Sequence, residues 1–69
     1  MRRTQLINLA RRAGPEYVVE GSGTRVIIRR GSVSVALYDD GSAHRADVRL
    51  DLAKRMTIAN AADALGLLD

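Results

Sequence analysis

The spacing of apolar residues predicts a helix at the start of the chain. These residues recur at intervals of three and four, as on one face of a helix, and they are Leu6, Leu9, Ala10 and Ala13, with Ile7 on the flank. Thr4 precedes them as a candidate N-cap, and Gly14-Pro15 supply a stop. Arg11 and Arg12 then fall in the last turn, where the helix dipole favours cations.

Between Glu16 and Leu50 the apolar period falls to two, which predicts strands. The four runs are 17–19, 25–29, 33–38 and 44–50, and each intervening segment contains a glycine suited to a tight turn. Such short connections predict an antiparallel meander. In the fourth run His44, Ala46, Val48 and Leu50 alternate with Arg45, Asp47 and Arg49, so one sheet face is expected to be apolar and the other to carry arginine.

After Leu50 the pattern becomes helical again. Residues 51–56 have the composition of a helical turn, and Thr57 is a candidate N-cap for a helix over residues 58–65. Gly66 would end that helix, with Leu67 closing a Schellman-type cap. Whether residues 52–65 form one helix or two stays open. The predicted fold is a single α+β domain over residues 1–69, with two helices covering the apolar face of a three- to four-stranded antiparallel meander.

Composition limits what such a domain can be. A chain of 69 residues allows one domain with a small core, and its ten Ala with no Phe or Trp make that core thin. The absence of Cys excludes a disulfide scaffold and cysteine chemistry. No apolar run approaches the roughly 18 residues of a membrane span, so we expect a cytoplasmic protein without a membrane partner.

The charge is positive and unevenly distributed. The chain carries a net charge of +3, and residues 1–15 contribute four Arg with no acid. Residues 39–69 are net acidic, with six Asp against three Arg and Lys54. This asymmetry favours an anionic partner near the N-terminus or self-association into a homo-oligomer. Because ten of the eleven cations are Arg, as GC-rich coding also gives, their positions are more informative than their number.

Nucleic acid is the partner class that these charges favour. Arg side chains fork onto phosphate, and the candidate contacts are Arg2, Arg3, Arg11, Arg12, Arg25, Arg29, Arg30, Arg45 and Arg49. Only Tyr17 and Tyr38 are available for base stacking. The composition therefore predicts that the protein recognises the backbone of double-stranded or structured RNA, and not that it reads single-stranded bases by stacking them on a row of aromatic side chains.

The sequence offers little for catalysis. No nucleophile-elbow or metal-ligand spacing occurs, and the segment 21–24 lacks the Lys of a phosphate-binding loop, so we expect no metal and no cofactor. His44 is the one candidate for a general acid or base. It would need a second group from Asp39, Asp40 or Asp47, and spacing alone does not decide whether these residues meet.

Four short motifs occur in order along the chain: Arg2-Arg3-x-x-Leu6-Ile7 at the start, the Gly21-Ser22 step, a histidine before the final segment, and the closing stretch Ala62-x-x-Leu65-Gly66-Leu67. This layout resembles that of the HicA-like toxins, whose active members cleave mRNA. The resemblance implies an α-β-β-β-α fold related to double-stranded-RNA-binding domains and an RNA-binding ancestry. The family's catalytic histidine follows Gly-Ser, whereas Gly23-Thr24 stand there in this chain. The resemblance thus implies RNA binding more than ribonuclease activity.

Two functions are therefore expected from different classes. One is a non-catalytic binder of RNA or another nucleic-acid backbone. The other is a protein-binding module, encoded by a phage or another mobile element, that inhibits or redirects a host protein through a free edge strand. If the protein is an enzyme at all, it is a degenerate ribonuclease that depends on His44.

Overall fold

A computed structural model describes residues 1–49 and 54–68. The order of elements is α1 (Arg3–Arg12), β1 (Tyr17–Ser22), β2 (Arg25–Arg30), β3 (Val33–Tyr38), β4 (Ala43–Arg45), β5 (Arg55–Met56) and α2 (Ile58–Ala64). The strands form one antiparallel sheet in the order β1-β2-β3-β4-β5. The protein is therefore a small α+β domain, as the sequence predicts, with a five-stranded meander in place of three or four strands.

Helix α1 starts earlier than the predicted cap. Its N-cap is Arg2 and not Thr4, because the Gln5 side-chain oxygen accepts a hydrogen bond from the Arg2 backbone N–H at 2.7 Å. A Gln at the third helical position commonly satisfies an unpaired N–H in this way. The Arg3 guanidinium also donates to the Gly23 carbonyl at 2.7 Å, which ties the start of α1 to the β1–β2 turn.

Two-residue turns set the register of the first three strands. Ser22 pairs with Arg25 around Gly23-Thr24, and Arg30 pairs with Val33 around a turn that Gly31 begins at φ +59°. Glycine accepts this conformation at little steric cost. These turns lengthen β1 and β2 beyond their predicted ends and fix which side chains share a face.

Both helices pack on the same face of the sheet. The core joins Val26, Ile28, Val35 and Leu37 from the strands to Leu6 and Ala10 from α1 and to Ala61, Ala62 and Leu65 from the C-terminal part of the chain. Several of the helical core residues are alanines, which allow the helices to lie close to the sheet. The predicted covering of the apolar face by two helices is confirmed, and the opposite face carries no helix from the described residues.

The fourth strand corrects the sequence prediction. β4 spans Ala43–Arg45 rather than 44–50, and His44 pairs with Ala36 while Arg45 pairs with Val35. Arg45 thus occupies a register position on the helix-covered face, and His44 lies on the uncovered one, the reverse of the expected alternation. After Arg45 the Ala46 N–H still donates to the Ser34 carbonyl, but the Asp47 carboxylate accepts from the Ser34 N–H. A side chain has replaced the next backbone pairing, so the strand ends, and predicted residue Leu50 lies outside the described residues.

The segment before α2 is a further correction. Arg55 and Met56 are extended rather than helical, because they pair with His44 and Ala43 on the outer edge of β4. Of the two alternatives that the sequence left open, one continuous helix over 52–65 is excluded by this strand, while residues 51–53 of the predicted helical turn lie outside the described part of the chain. Thr57 is the N-cap as predicted, since its Oγ1 accepts from the Asn60 N–H at 3.0 Å.

The end of α2 forms the predicted Schellman cap. The Leu67 N–H donates to the Ala62 carbonyl at 2.9 Å and the Gly66 N–H to the Asp63 carbonyl at 3.0 Å, with Gly66 at φ +73°. Neither helix in the described residues has the length and apolar character needed to cross a bilayer.

Candidate nucleic-acid interface

The uncovered sheet face is the candidate interface, and we call it the open face. Directly paired residues of antiparallel strands share a face, so the register identifies its members. They are Val18, Glu20, Ser22, Arg25, Ile27, Arg29, Ser34, Ala36, Tyr38, His44 and Arg55. The open face thus mixes arginine with aromatic and small apolar side chains.

Cations outnumber acids on this face. Arg25 and Arg29 lie four residues apart on β2 and flank Ile27, while Arg55 lies beyond His44 on β5. Glu20 is the one acid at the described positions of the face, and it pairs with Arg29 at 3.5 Å with both side chains half exposed. Exposed pairs of this kind contribute little to stability, so Arg29 can exchange Glu20 for a phosphate at low cost.

Two rings meet on the open face. Tyr38 and His44 lie with their ring centroids 5.8 Å apart and their planes at 77°, an edge-to-face contact. Arg25 pairs directly with Tyr38 across β2 and β3. One guanidinium and two rings therefore cluster near the end of the sheet where the β1–β2 and β3–β4 turns lie.

A cleft of about 310 Å³ lies beside these rings. Ala36 lines it from β3 and is only 2 % exposed, although it belongs to the open face. The other lining residues come from β3 itself, from the neighbouring strands and from the segment after β4, and they are Arg25, Tyr38, His44, Arg45, Ala46 and Val48. A small side chain at the centre of a row of larger ones thus produces a depression in the sheet.

An ion pair holds the segment after β4 in place. The Arg45 guanidinium donates to both carboxylate oxygens of Asp47, from Nε to Oδ1 at 2.7 Å and from Nη2 to Oδ2, and Oδ1 also accepts from the Ser34 N–H at 3.2 Å. The bonds from Arg45, followed by the one from Ser34, lower the pKa of Asp47 to about 2. The same carboxylate raises the pKa of Arg45. The positive charge of Arg45 is therefore balanced by the negative charge of Asp47. Arg25 then carries the main unbalanced positive charge of the cleft lining.

The β3–β4 turn is held by its own acids rather than by a metal. The Asp40 carboxylate accepts from the Ser42 hydroxyl at 2.6 Å and the Ser42 N–H at 2.9 Å, which lowers the pKa of Asp40. The Asp39 N–H donates to the Thr24 carbonyl at 3.1 Å and so joins this turn to the β1–β2 turn. Residues 1–49 and 54–68 contain no group of three or more His, Asp or Glu side chains placed to hold a metal ion.

Comparisons of the chain with protein-family models, with curated proteins and with solved structures find no match. The function must therefore be argued from the site itself.

The nine candidate arginines do not form one surface. Arg25 and Arg29 share the open face, whereas Arg45 is paired with Asp47 and Arg49 follows in the segment after β4. Arg30 faces the helices, donates to the Leu65 carbonyl at 3.1 Å and lies 5.2 Å from the Tyr17 ring centre. The Tyr17 hydroxyl donates to the same carbonyl at 2.8 Å. Arg30 and Tyr17 thus close the C-terminal end of α2, which engages the Tyr17 hydroxyl and one nitrogen of the Arg30 guanidinium.

The arginines of α1 lie in the helical layer, away from the open face. Arg2 and Arg3 are at the N-terminal end of the helix and Arg11 and Arg12 at the other, about 15 Å away for a ten-residue helix. Arg3 donates to Gly23, and Arg12 Nε donates to the Asn8 carbonyl at 3.3 Å. The dense positive charge of the first 15 residues therefore divides between two ends of a helix.

The structure also identifies site residues that the sequence analysis left out. Arg55 and Ala36 belong to the open face because strand pairing places them there, and Tyr38, a predicted stacking residue, lies beside them. Knowing that the first two turns have two residues each would have been enough to find Ala36. The pairing of His44 with a carboxylate, which the sequence left open, does not occur among the hydrogen bonds of the described residues, where Asp47 binds Arg45 and Asp40 binds Ser42.

Proposed function

We propose that the protein binds the phosphodiester backbone of a nucleic acid, structured RNA above all, through the open face. The observation that carries the proposal is the grouping of Arg25, Arg29 and Arg55 on one exposed surface with a single acid at its described positions. Guanidinium groups bind phosphate oxygens through paired donors, and their entropy gain from counterion release makes such binding salt-dependent. The RNA-binding ancestry implied by a resemblance to HicA-like toxins agrees with this proposal.

Geometry favours the open face over α1. On β2 two arginines point the same way from positions four residues apart, roughly 13 Å along the strand. That span is long enough for the two guanidinium groups to contact different phosphates of one nucleic-acid strand. A third, Arg55, lies on the same face at the edge strand β5. The arginines of α1 instead lie at opposite ends of the helix, where Arg3 and Arg12 already bind backbone carbonyls.

The test compares two double variants with equal loss of charge. Arg25→Gln/Arg29→Gln removes two cations from the open face, and Arg11→Gln/Arg12→Gln removes two exposed cations from the end of α1. Fluorescence anisotropy with a labelled RNA hairpin, and with a DNA hairpin of the same sequence, gives the affinity as a function of salt. Three phosphate contacts predict a slope of log K against log salt between about −2 and −3 for the unchanged chain.

We expect the open-face variant to lose on the order of tenfold in affinity and to flatten the slope by about 1.5 to 2, with the α1 variant close to the unchanged chain. Equal losses in both variants would mean that binding follows net charge and not the open face. No binding of either hairpin at low salt would overturn the proposal. The ratio of RNA to DNA affinity decides which backbone is preferred.

A second candidate function, docking to a protein, is favoured by the edge strand β1. Among the described strands this six-residue strand pairs on one side only, it contains neither Lys nor Pro, and it leaves Val18 45 % exposed. Natural edge strands often carry Lys or Pro, which discourage pairing with another chain. β1 is thus available for strand addition by a partner protein.

One substitution distinguishes the two functions. Val18→Lys places a charge beside the free edge, so it should weaken a stoichiometric protein complex at least several-fold and leave RNA binding unchanged or slightly stronger. Arg25→Gln/Arg29→Gln should do the reverse. Analytical ultracentrifugation of the nuclease-treated complex measures the first effect, and a complex that tolerates Val18→Lys would exclude docking at β1.

A further inference from the structure

The cleft on the open face has a shape that backbone binding does not require. Its lining includes Ala36, Tyr38 and His44 together with Arg25, so it combines a small apolar base, two rings and one cation. A surface that only contacts phosphates needs charge but no depression. The cleft therefore points to a ligand with a planar part as well as an anionic part.

Ala36 makes room for the planar part. It lies between Ile27 and His44 in one row of the sheet, and both neighbours are larger than its methyl group. Tyr38 and His44 stand at 77° to one another, so a flat group parallel to one ring meets the edge of the other. Stacking of this kind accepts any base, because every base has a π-face.

Arg25 provides the anionic contact. It lines the cleft and has no ion pair with the described residues, whereas the other arginine of the lining, Arg45, is paired with Asp47. Phosphate bound by Arg25 would lie beside Tyr38, its direct partner across the strands. A cleft of about 310 Å³ is at the lower end of small-molecule sites, which suits one nucleotide rather than two.

We propose that this cleft binds one unstacked nucleotide, with its base against Tyr38 and His44 and its phosphate on Arg25. The inference rests on the proposed function and narrows its substrate class to RNA with single-stranded or looped segments. A base held inside a duplex cannot enter the cleft, because its faces are already stacked.

The test fills the cleft without changing its charge. Ala36→Val adds bulk at its base with a residue suited to strands, and Ser34→Val is the matched control on the same strand and face, outside the cleft lining. His44→Ala removes one ring and serves as a second variant. Thermal unfolding followed by circular dichroism establishes that each variant is folded before its affinity is measured.

Affinity is measured for a single-stranded RNA of about ten nucleotides and for a blunt RNA duplex of the same length. We expect Ala36→Val and His44→Ala to weaken single-strand binding by roughly tenfold, as loss of one stacked base does, and to leave duplex binding within twofold. Ser34→Val should leave both unchanged. Single-strand affinity that survives both cleft variants would overturn the nucleotide site, while a retained effect of Arg25→Gln/Arg29→Gln would still support backbone binding.

A titration with adenosine 5′-monophosphate separates failure of the two proposals. We expect saturable shifts of the Ala36 methyl and His44 ring resonances that inorganic phosphate alone does not reproduce, and in Ala36→Val the His44 shifts should disappear. Saturable shifts without any affinity for hairpins would support the cleft and refute the backbone proposal. Absence of shifts at millimolar nucleotide, with hairpin binding intact, would refute the cleft alone.

Discussion

At the scale of single residues, Asp47 organises the site although it binds no ligand in our proposals. Its carboxylate satisfies the Ser34 N–H and holds the Arg45 guanidinium, so it ends β4 and fixes the segment that lines the cleft. One side chain thus converts a fourth long strand, which the alternating pattern predicted, into a short strand and a cleft wall.

Asp47→Asn should destabilise the fold by about 1 kcal/mol at pH 7, since it replaces a charged, bidentate partner at a partly exposed site. The pKa of Asp47 in the folded chain is about 2, below its ordinary value of 3.8. Its stabilisation is therefore complete above pH 3.8 and is lost as the pH falls towards 2.

Urea unfolding at pH 7 and at pH 2 measures this effect, with Asp63→Asn as the control for an exposed Asp of α2. The difference between Asp47→Asn and the unchanged chain should shrink at pH 2. A difference that stays constant between the two pH values would show that the carboxylate's charge has no part in holding the segment.

At the scale of elements, the C-terminal end of α2 joins the two layers of the molecule. Leu65 is buried, its carbonyl accepts from both Tyr17 and Arg30, and Gly66 reverses the chain at φ +73°. A Cβ at Gly66 would also collide with the Arg30 guanidinium. The element therefore depends on a glycine for its conformation, and any larger residue would displace Arg30, a predicted phosphate contact that acts here as a helix cap.

Gly66→Ala should cost about 2 kcal/mol: about 1 kcal/mol from the left-handed conformation, and up to about 1 kcal/mol more because Arg30 must move and give up its hydrogen bond to the Leu65 carbonyl. Gly31→Ala is the matched control, because Gly31 has a similar φ of +59° but open space where the added methyl group would lie. Its cost should be about 1 kcal/mol. Equal costs in chemical denaturation would contradict the role assigned to Arg30 at this cap.

At the scale of the whole molecule, the sequence predicts which helices and strands form better than it predicts which side chains share a face of the sheet. The two helices, the first three strands and the caps at Thr57 and Gly66 are strong local signals, and the structure contains them. β5 could not be predicted, because a two-residue strand has no periodicity and forms only where the edge of β4 is available. The end of β4 depends on contacts among Ser34, Arg45 and Asp47, which no local pattern reveals.

The candidate site shows the same limit. Counting arginines finds Arg25 and Arg29, but it also includes Arg30, whose one-residue displacement along β2 turns it to the opposite face. Arg55 and Ala36 enter the site only through strand pairing. Net charge thus indicates a class of partner, whereas register decides which charges can contact that partner together.

The most direct test of the open face as the binding surface uses the ten arginines as separate reporters. Nε–Hε resonances of the ¹⁵N-labelled chain are followed during titration with an RNA hairpin that carries an unpaired loop. We expect saturable chemical-shift changes at the Nε–Hε groups of Arg25, Arg29 and Arg55, and nearly unchanged signals from Arg2, Arg11 and Arg12. Shifts confined to the arginines of α1, or spread equally over both groups, would contradict this expectation.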